Sequence, residues 1–278
     1  MKYELTIAYR AYPGISKTPA IFPRDKYAMV DATFASLVRG CGNLRVKYHI
    51  LLDNCPDNYL DIFKKYVASE HLIFHRYSGA GNGTTFGEQM KILLSQGDAE
   101  NVFFCEDDYY FFDNSIVKML ESMDELPDAH FLTPYDHPDY YYRALHNYYS
   151  KITIAGNIHW RSAATTCMTF MTSKKHLAAA GKIFATYTRK NYDASLWAAL
   201  TKKIIRNPRH IFSDNDIKET FKIYVKSWLY CWQHILFGRK YILRSPIPTL
   251  ATHLEITGLA PGMDWKQIFS EQGFEVSL

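Results

Sequence analysis

Glu106, Asp107 and Asp108 stand side by side where a short apolar run, Val102 to Cys105, stops. Three neighbouring carboxylates repel one another and are costly to take out of water without a cation among them. Carboxylate oxygens are the donors that hard dications such as Mg2+ and Mn2+ take, and these ions leave positions open for a substrate's phosphates. Ligands of open α/β sheets bind beyond the carboxyl ends of the strands, so a metal site is expected here. An acidic turn that caps the next helix from solvent explains the same three residues equally well.

Other residues carry chemistry at a distance. Gly79-Ala-Gly-Asn-Gly83 is glycine-rich and runs into a helix, the setting in which backbone approaches phosphates. Thr84 replaces the last glycine of a dinucleotide fingerprint, and the loop follows the third strand, so it is expected to line a nucleotide without gripping a dinucleotide. Asp53 ends an earlier strand, placed to accept from a base imide or ribose hydroxyl, or to form an Asx-type turn before Pro56. Asp193 falls in the first turn of a helix, where the dipole stabilises an acid and a carboxylate can also serve as general base. His253 is isolated in Ala-Thr-His-Leu-Glu and joins a metal shell only if its strand returns to the acids. Lys202, Lys203, Arg206 and Arg209 are the solvated end of a helix, with weak attraction to an anionic membrane as a secondary role.

The elements that must position these groups follow from periodicity. Strands are predicted at Leu5–Tyr9, Val46–Leu52, Leu72–Tyr77 and Val102–Cys105, alternating with helices over 24–39, Asn58–Ala68, a third from Thr85 and a fourth around Ile116–Met123. Thr85 and Glu88 have capping-box spacing, which sets the start of the third helix. Fourfold strand–helix alternation predicts a mostly parallel sheet covered by helices. Beyond residue 135 come an aromatic loop, strands at Ile152–Trp160 and Thr165–Thr172 separated by Arg161–Ala164, helices after Ser173 and Asn191, and a long helix over Ile217–Phe237. Trp228, Tyr230 and Trp232 read as core on that helix, which Lys222, Lys226 and Gln233 make too polar to span a bilayer.

The 278 residues allow one large domain or two small ones, and a net charge of +4 is too small to argue for nucleic acid. Five scattered cysteines without a C-x-x-C pair suit reduced thiols, and no apolar run is long enough to cross a membrane. The first residues enter a strand without a leader-like apolar segment, so a cytoplasmic protein is expected, at most peripheral at the inner face of a membrane.

With these residues in view, the chain resembles the nucleotide-sugar glycosyltransferases of the GT-A fold, loosely those grouped with the family-2 enzymes. Phe103-Phe-Cys-Glu-Asp-Asp108 is similar to their D-x-D or E-D-D metal motif at the end of the fourth strand. Ser162-Ala-Ala-Thr-Thr-Cys-Met-Thr169 and His253 before Gly258-Leu-Ala-Pro-Gly-Met-Asp-Trp265 add to the likeness, and order and spacing agree over most of the chain. The resemblance implies an α/β fold of GT-A type as one domain over 1–278, with a Rossmann-like nucleotide-binding half (1–135) and an acceptor-binding half (136–278).

It implies a cofactor, Mn2+ or Mg2+, held by Asp108 and His253. Arg10, Tyr12, Pro13 and Asp53 would hold the base and ribose, Asn82 and Gln89 would border the nucleotide or its sugar, and Glu106 and Asp107 would complete the donor site. Asp193 matches the catalytic base of inverting members. The implied reaction moves one sugar from a nucleoside-diphosphate sugar, UDP by preference, to a hydroxyl of a glycan or glycoconjugate; retention of configuration ranks second. The usual E-D pair is reduced to Tyr192-Asp193 and the Q-x-x-R-W signature of polymerising members is absent, which fits single addition. Two rivals remain: a sugar-phosphate nucleotidyltransferase, for which Arg10–Lys17 holds few glycines, and a non-catalytic carbohydrate- or nucleotide-binding module.

Overall fold

The computed structural model describes residues 2–15, 18–205 and 207–278; Arg206, grouped above with the basic helix end, lies outside the described residues. The first half alternates as its periodicity predicts: β1 (Leu5–Ala11), α1 (Lys26–Cys41), β2 (Val46–Asp53), α2 (Tyr59–Tyr66), β3 (Leu72–Tyr77), α3 (Gly81–Ser95) and β4 (Asn101–Glu106). Right-handed crossovers through helices make such strands parallel. They pair so, in the order β3-β2-β1-β4.

The chain continues through β5 (Tyr109–Phe111), α4 (Ser115–Glu125), β6 (Phe131–Leu132), α5 (Asp139–Tyr142), β7 (Ile152–Ala155), β8 (Ile158–Ala163) and β9 (Phe170–Ser173). Then follow α6 (Lys174–Phe184), α7 (Asp193–Thr201), α8 (Arg209–Ser213), α9 (Ile217–Phe237), β10 (Leu243–Ile247), β11 (Ala251–His253) and α10 (Trp265–Glu271). The sheet extends past β4 as β9-β6-β10-β8-β7. Only β9 and β8 run against the rest, so seven of its nine strands point the same way. A separate two-stranded sheet joins β5 to β11.

The apolar run in β4 is buried on both faces because its side chains alternate between two cores. Phe103 and Cys105 join Ile7, Phe34 and Phe63 on one side, while Val102 and Phe104 join Phe86, Phe170 and Trp197 on the other. All five cysteines are free thiols.

The structure corrects three of the expected elements. α3 begins at Gly81 rather than Thr85, and the Thr85 hydroxyl instead donates back to the Gly81 carbonyl inside the helix (3.1 Å). The expected strand Ile152–Trp160 is a hairpin, turned at Gly156-Asn157, both with positive φ (53° and 59°). Such a two-residue turn matches the twist of its flanking strands. Most of the expected separator therefore lies inside β8, and the next strand shrinks to Phe170–Ser173.

The third correction concerns α9, whose bounds are as predicted but whose tryptophans are not core. Trp228 and Trp232 are exposed, because the helix turns Thr220, Ile223, Tyr224, Ser227, Cys231 and Ile235 inward. Among the described residues, no helix is long and apolar enough to cross a membrane.

Candidate functional site

A cleft of about 450 Å³ opens at the carboxyl ends of β1, β2 and β4, lined by Arg10, Tyr12, Lys26, Asp53, Gly79, Asn82 and all three acids. The register of β1 against β4 places Arg10 directly beside Glu106. Its guanidinium meets the Glu106 carboxylate at 2.5 Å and donates to the Asn82 carbonyl at 2.8 Å. Asp107 has a cation of its own from another element: Lys26 Nζ donates to Oδ1 at 2.8 Å, and the Tyr12 amide donates to Oδ2 at 2.9 Å. Burial pushes both Glu106 and Asp107 above the ordinary carboxylate range, against the pull of Arg10 and Lys26 respectively. Drawing the partners from β1 and α1 is how adjacent acids are kept at the end of β4.

Asp108 differs. The β5–β11 ladder sets His253 opposite Tyr109, and the Leu254 amide donates to the Asp108 carbonyl (2.8 Å), so the ring is delivered to Asp108 by backbone pairing. His253 Nε2 lies 3.0 Å from Asp108 Oδ2, while Nδ1 accepts from the Glu255 amide (3.1 Å) and orients the imidazole. Burial pushes Asp108 up, but His253, with Lys26 and Arg10 behind it, outweighs burial and holds the acid well below the usual carboxylate range. Its Oδ1 is out of reach of solvent and has no hydrogen-bond partner. A carboxylate oxygen and an imidazole nitrogen side by side, with an orphaned oxygen adjoining, are a donor set that suits Mn2+ or Mg2+. No group of three or more His, Cys, Asp or Glu able to hold a metal occurs among the described residues. Two protein donors would leave the remaining positions to phosphate oxygens and water.

Asp53 does not point its carboxylate at the cleft centre. Its two oxygens accept from the amides of Gly79, Ala80 and Gly81, each at 2.8 Å. This is a helix cap supplied from a neighbouring strand, and it explains why α3 starts before its capping-box threonine. Gly79 and Gly81 have φ of 78° and 77°, a backbone that L side chains rarely adopt, which lets three successive amides face one acid.

Asp193 opens α7, with one oxygen taking the Ala194 amide at 2.7 Å. It shares a neighbourhood with the acids: the Cys167 thiol is pushed well up by burial first, then by the charges of Asp193, Glu106 and Asp108. A more open recess of about 360 Å³ lies between the glycine loop and Tyr187–Tyr192, next to Asp193.

Of the residues singled out in the sequence, Arg10, Tyr12, Asp53, Asn82, Glu106, Asp107 and Asp108 line the cleft, and Pro13 lies in the loop between the lining residues Tyr12 and Gly14. Gln89 is elsewhere. It is fully buried under α3, with Nε2 donating to the carbonyls of Ala8 (2.6 Å) and Cys105 (3.3 Å), and ties α3 to β1 and β4. Lys26 and Tyr187 were not legible in advance. Lys26 opens α1 after its cap Asp25, where a lysine signals nothing, and Tyr187 reaches the site through the Asn82 amide (3.2 Å) and the Arg10 guanidinium.

Parallel strands 3-2-1-4, an antiparallel neighbour beyond the fourth, acids at its end and a small sheet that returns a histidine to them decide the topology. The fold is a mixed α/β one, a large and mostly parallel sheet flanked by helices. No family model matches the chain, and no curated protein matches it. Among solved structures, residues 1–349 of S. aureus TarS in complex with UDP-GlcNAc are similar over 85% of this chain and 74% of that one, at 13% identity and a TM-score of 0.46. A protein described as a nucleotide-diphospho-sugar transferase from Desulfovibrio desulfuricans G20 is similar over 85% of this chain and 98% of that one, at 13% identity and a TM-score of 0.43. In this chain the cleft is framed by β1, β2 and β4 of the parallel half, whereas His253 and Asp193 come from the second half.

Proposed function

We propose that this chain is a metal-dependent glycosyltransferase that moves one sugar from a nucleoside-diphosphate sugar, UDP-linked by preference, to a hydroxyl of a glycan or glycoconjugate. The observation that carries the reading is the pairing of Asp108 with His253, where Asp108 and Lys26 line both the cleft and the small adjoining cavity that His253 lines. Asp108 and His253 would hold Mn2+ or Mg2+, which when bound neutralises the charge that grows on the departing nucleotide.

The chain's own groups do the rest. Tyr12, half-exposed on the rim, offers a ring face to the base, and its amide bond to Asp107 holds that rim in place. Asp53 acts through the loop it caps rather than by touching the nucleotide. Arg10 and Lys26, already paired to acids, keep the cleft from repelling a diphosphate. Asp193 takes the proton of the acceptor hydroxyl while that oxygen attacks the anomeric carbon and the bond to the phosphate oxygen breaks. Attack from the face opposite the leaving group inverts the configuration.

Calorimetry with UDP and GDP, with and without Mn2+, tests the reading. Wild type should bind UDP about tenfold or more tightly with Mn2+, and Asp108→Ala should lose that gain. Affinity indifferent to both the ion and the substitution would make the chain a binding module. Diphosphate release from a sugar 1-phosphate and a nucleoside triphosphate would make it a nucleotidyltransferase.

A further inference from the structure

α9 presents an apolar face that no part of the described structure covers. Ile217, Phe221, Val225, Leu229, Trp232 and Leu236 are all exposed, at 45–67% of their surface. Ile217, Phe221, Val225 and Leu229 follow one another at four-residue spacing in a stripe roughly 18 Å long at ~1.5 Å per residue, beside the buried face; past a kink at Cys231 (φ −130°, ψ 15°), Trp232 and Leu236 are exposed on the last turns. Trp228 and Phe237 of α9 and Phe212 of α8 are exposed as well. A stripe of this length in water marks an interaction surface.

The charges beside it say what covers it. Lys218, Lys222 and Lys226 form a row at four-residue spacing along one flank, and exposed Arg239 and Lys240 follow the end of the helix. The one acid within α9, Glu219, is paired with Lys222 at 3.3 Å. Tryptophan rings settle at the level of lipid headgroups, and lysines reach from an apolar face to anionic phosphates. The helix is not apolar enough to cross a bilayer. Two copies packed antiparallel by this face would press their lysine rows together.

We propose that α9 is a docking helix for an anionic lipid bilayer, lying in the headgroup plane with its apolar stripe down. The inference stands apart from the transfer reaction. Lys222 lies over the Tyr192 ring (4.2 Å) and Lys226 donates to the Lys190 carbonyl (2.8 Å), so the docked surface borders the recess beside Asp193.

Co-sedimentation of the full chain with vesicles tests it, using phosphatidylcholine alone and phosphatidylcholine with phosphatidylglycerol in equal parts. The chain should sediment with the anionic vesicles only, lose binding as salt rises, and shift its tryptophan emission to the blue. Replacing Phe221, Leu229 and Trp232 together by Ser should reduce binding about tenfold or more at unchanged melting temperature. Should that variant misfold, Leu229→Glu with Lys218→Glu serves the same purpose, since both side chains are exposed. Failure to sediment with either vesicle, or equal binding to neutral ones, overturns the proposal. So does a wild-type dimer that the serine variant converts to monomer, which would assign the face to a second copy.

Discussion

Asp193 and Asp108 are both carboxylates, yet their surroundings differ, and the proposed reaction gives them different tasks. Asp108 is held ionised by His253 and has an oxygen without a partner, which is the state a cation needs. Asp193 has one oxygen tied to the Ala194 amide at the start of α7, where the helix dipole favours its charged form. Asp193→Asn keeps the shape and the tied oxygen but removes the base. Turnover with a nucleotide sugar and a working acceptor should fall on the order of 100- to 10,000-fold, with the donor KM little changed. A variant with full turnover would remove Asp193 from the chemistry. Residue type alone could not separate Gln89 from a cleft residue. Its position on α3 is one turn from Thr85, which does line the cleft, and only the packing of α3 on β1 shows that it faces carbonyls instead.

The element most sensitive to its neighbours is the glycine loop into α3. Asp53 is buried and holds three amides, so Asp53→Ala leaves all three without a protein partner and is expected to cost about 1–3 kcal/mol. Amide hydrogen exchange at residues 79–81 should accelerate, and UDP affinity should fall as the loop loses its place at the cleft. Gly81→Ala probes the same loop differently. Nothing lies within 4 Å of the added methyl, so its cost of roughly 1–2 kcal/mol comes from the left-handed backbone alone. Unchanged exchange in Asp53→Ala would mean that the loop is ordered without its cap.

Burial lowers several of the described histidines, which bears on the response to acid. His49 and His130 are each lowered to about 4 and His146 to about 3, in every case by burial first and then by nearby cationic or imidazole groups. His75, His176 and His234 are lowered for the same leading reason. The unfolded chain protonates these rings near about 6.5, whereas the folded chain resists until lower pH. Unfolding therefore takes up protons in that window, and stability falls as pH drops from about 6.5 toward 4. Raised Glu106 and Asp107 act in the opposite sense, so the clean readout is a difference. Melting temperature should decline below pH 6.5, and His49→Gln should flatten the decline. A melting temperature that holds steady or rises over this range would contradict the sign.

Local pattern determined the parallel half: the apolar runs of β1 to β4, the alternation with helices, and the acids stranded at the end of β4 are all set by short-range periodicity and by the cost of burying like charges. Tertiary structure alone decided the encounters across long stretches of chain. His253 meets Asp108 only because β11 pairs with β5, and Asp53 starts a helix on another strand's loop because β2 and β3 align. It decided equally which face of α9 is buried, since Ile223, Tyr224, Cys231 and Ile235 pack inward with Thr220 and Ser227 and leave the tryptophans outside. Periodicity reports that a helix has two faces. Which one meets a neighbour depends on the neighbour, and that information lies elsewhere in the chain.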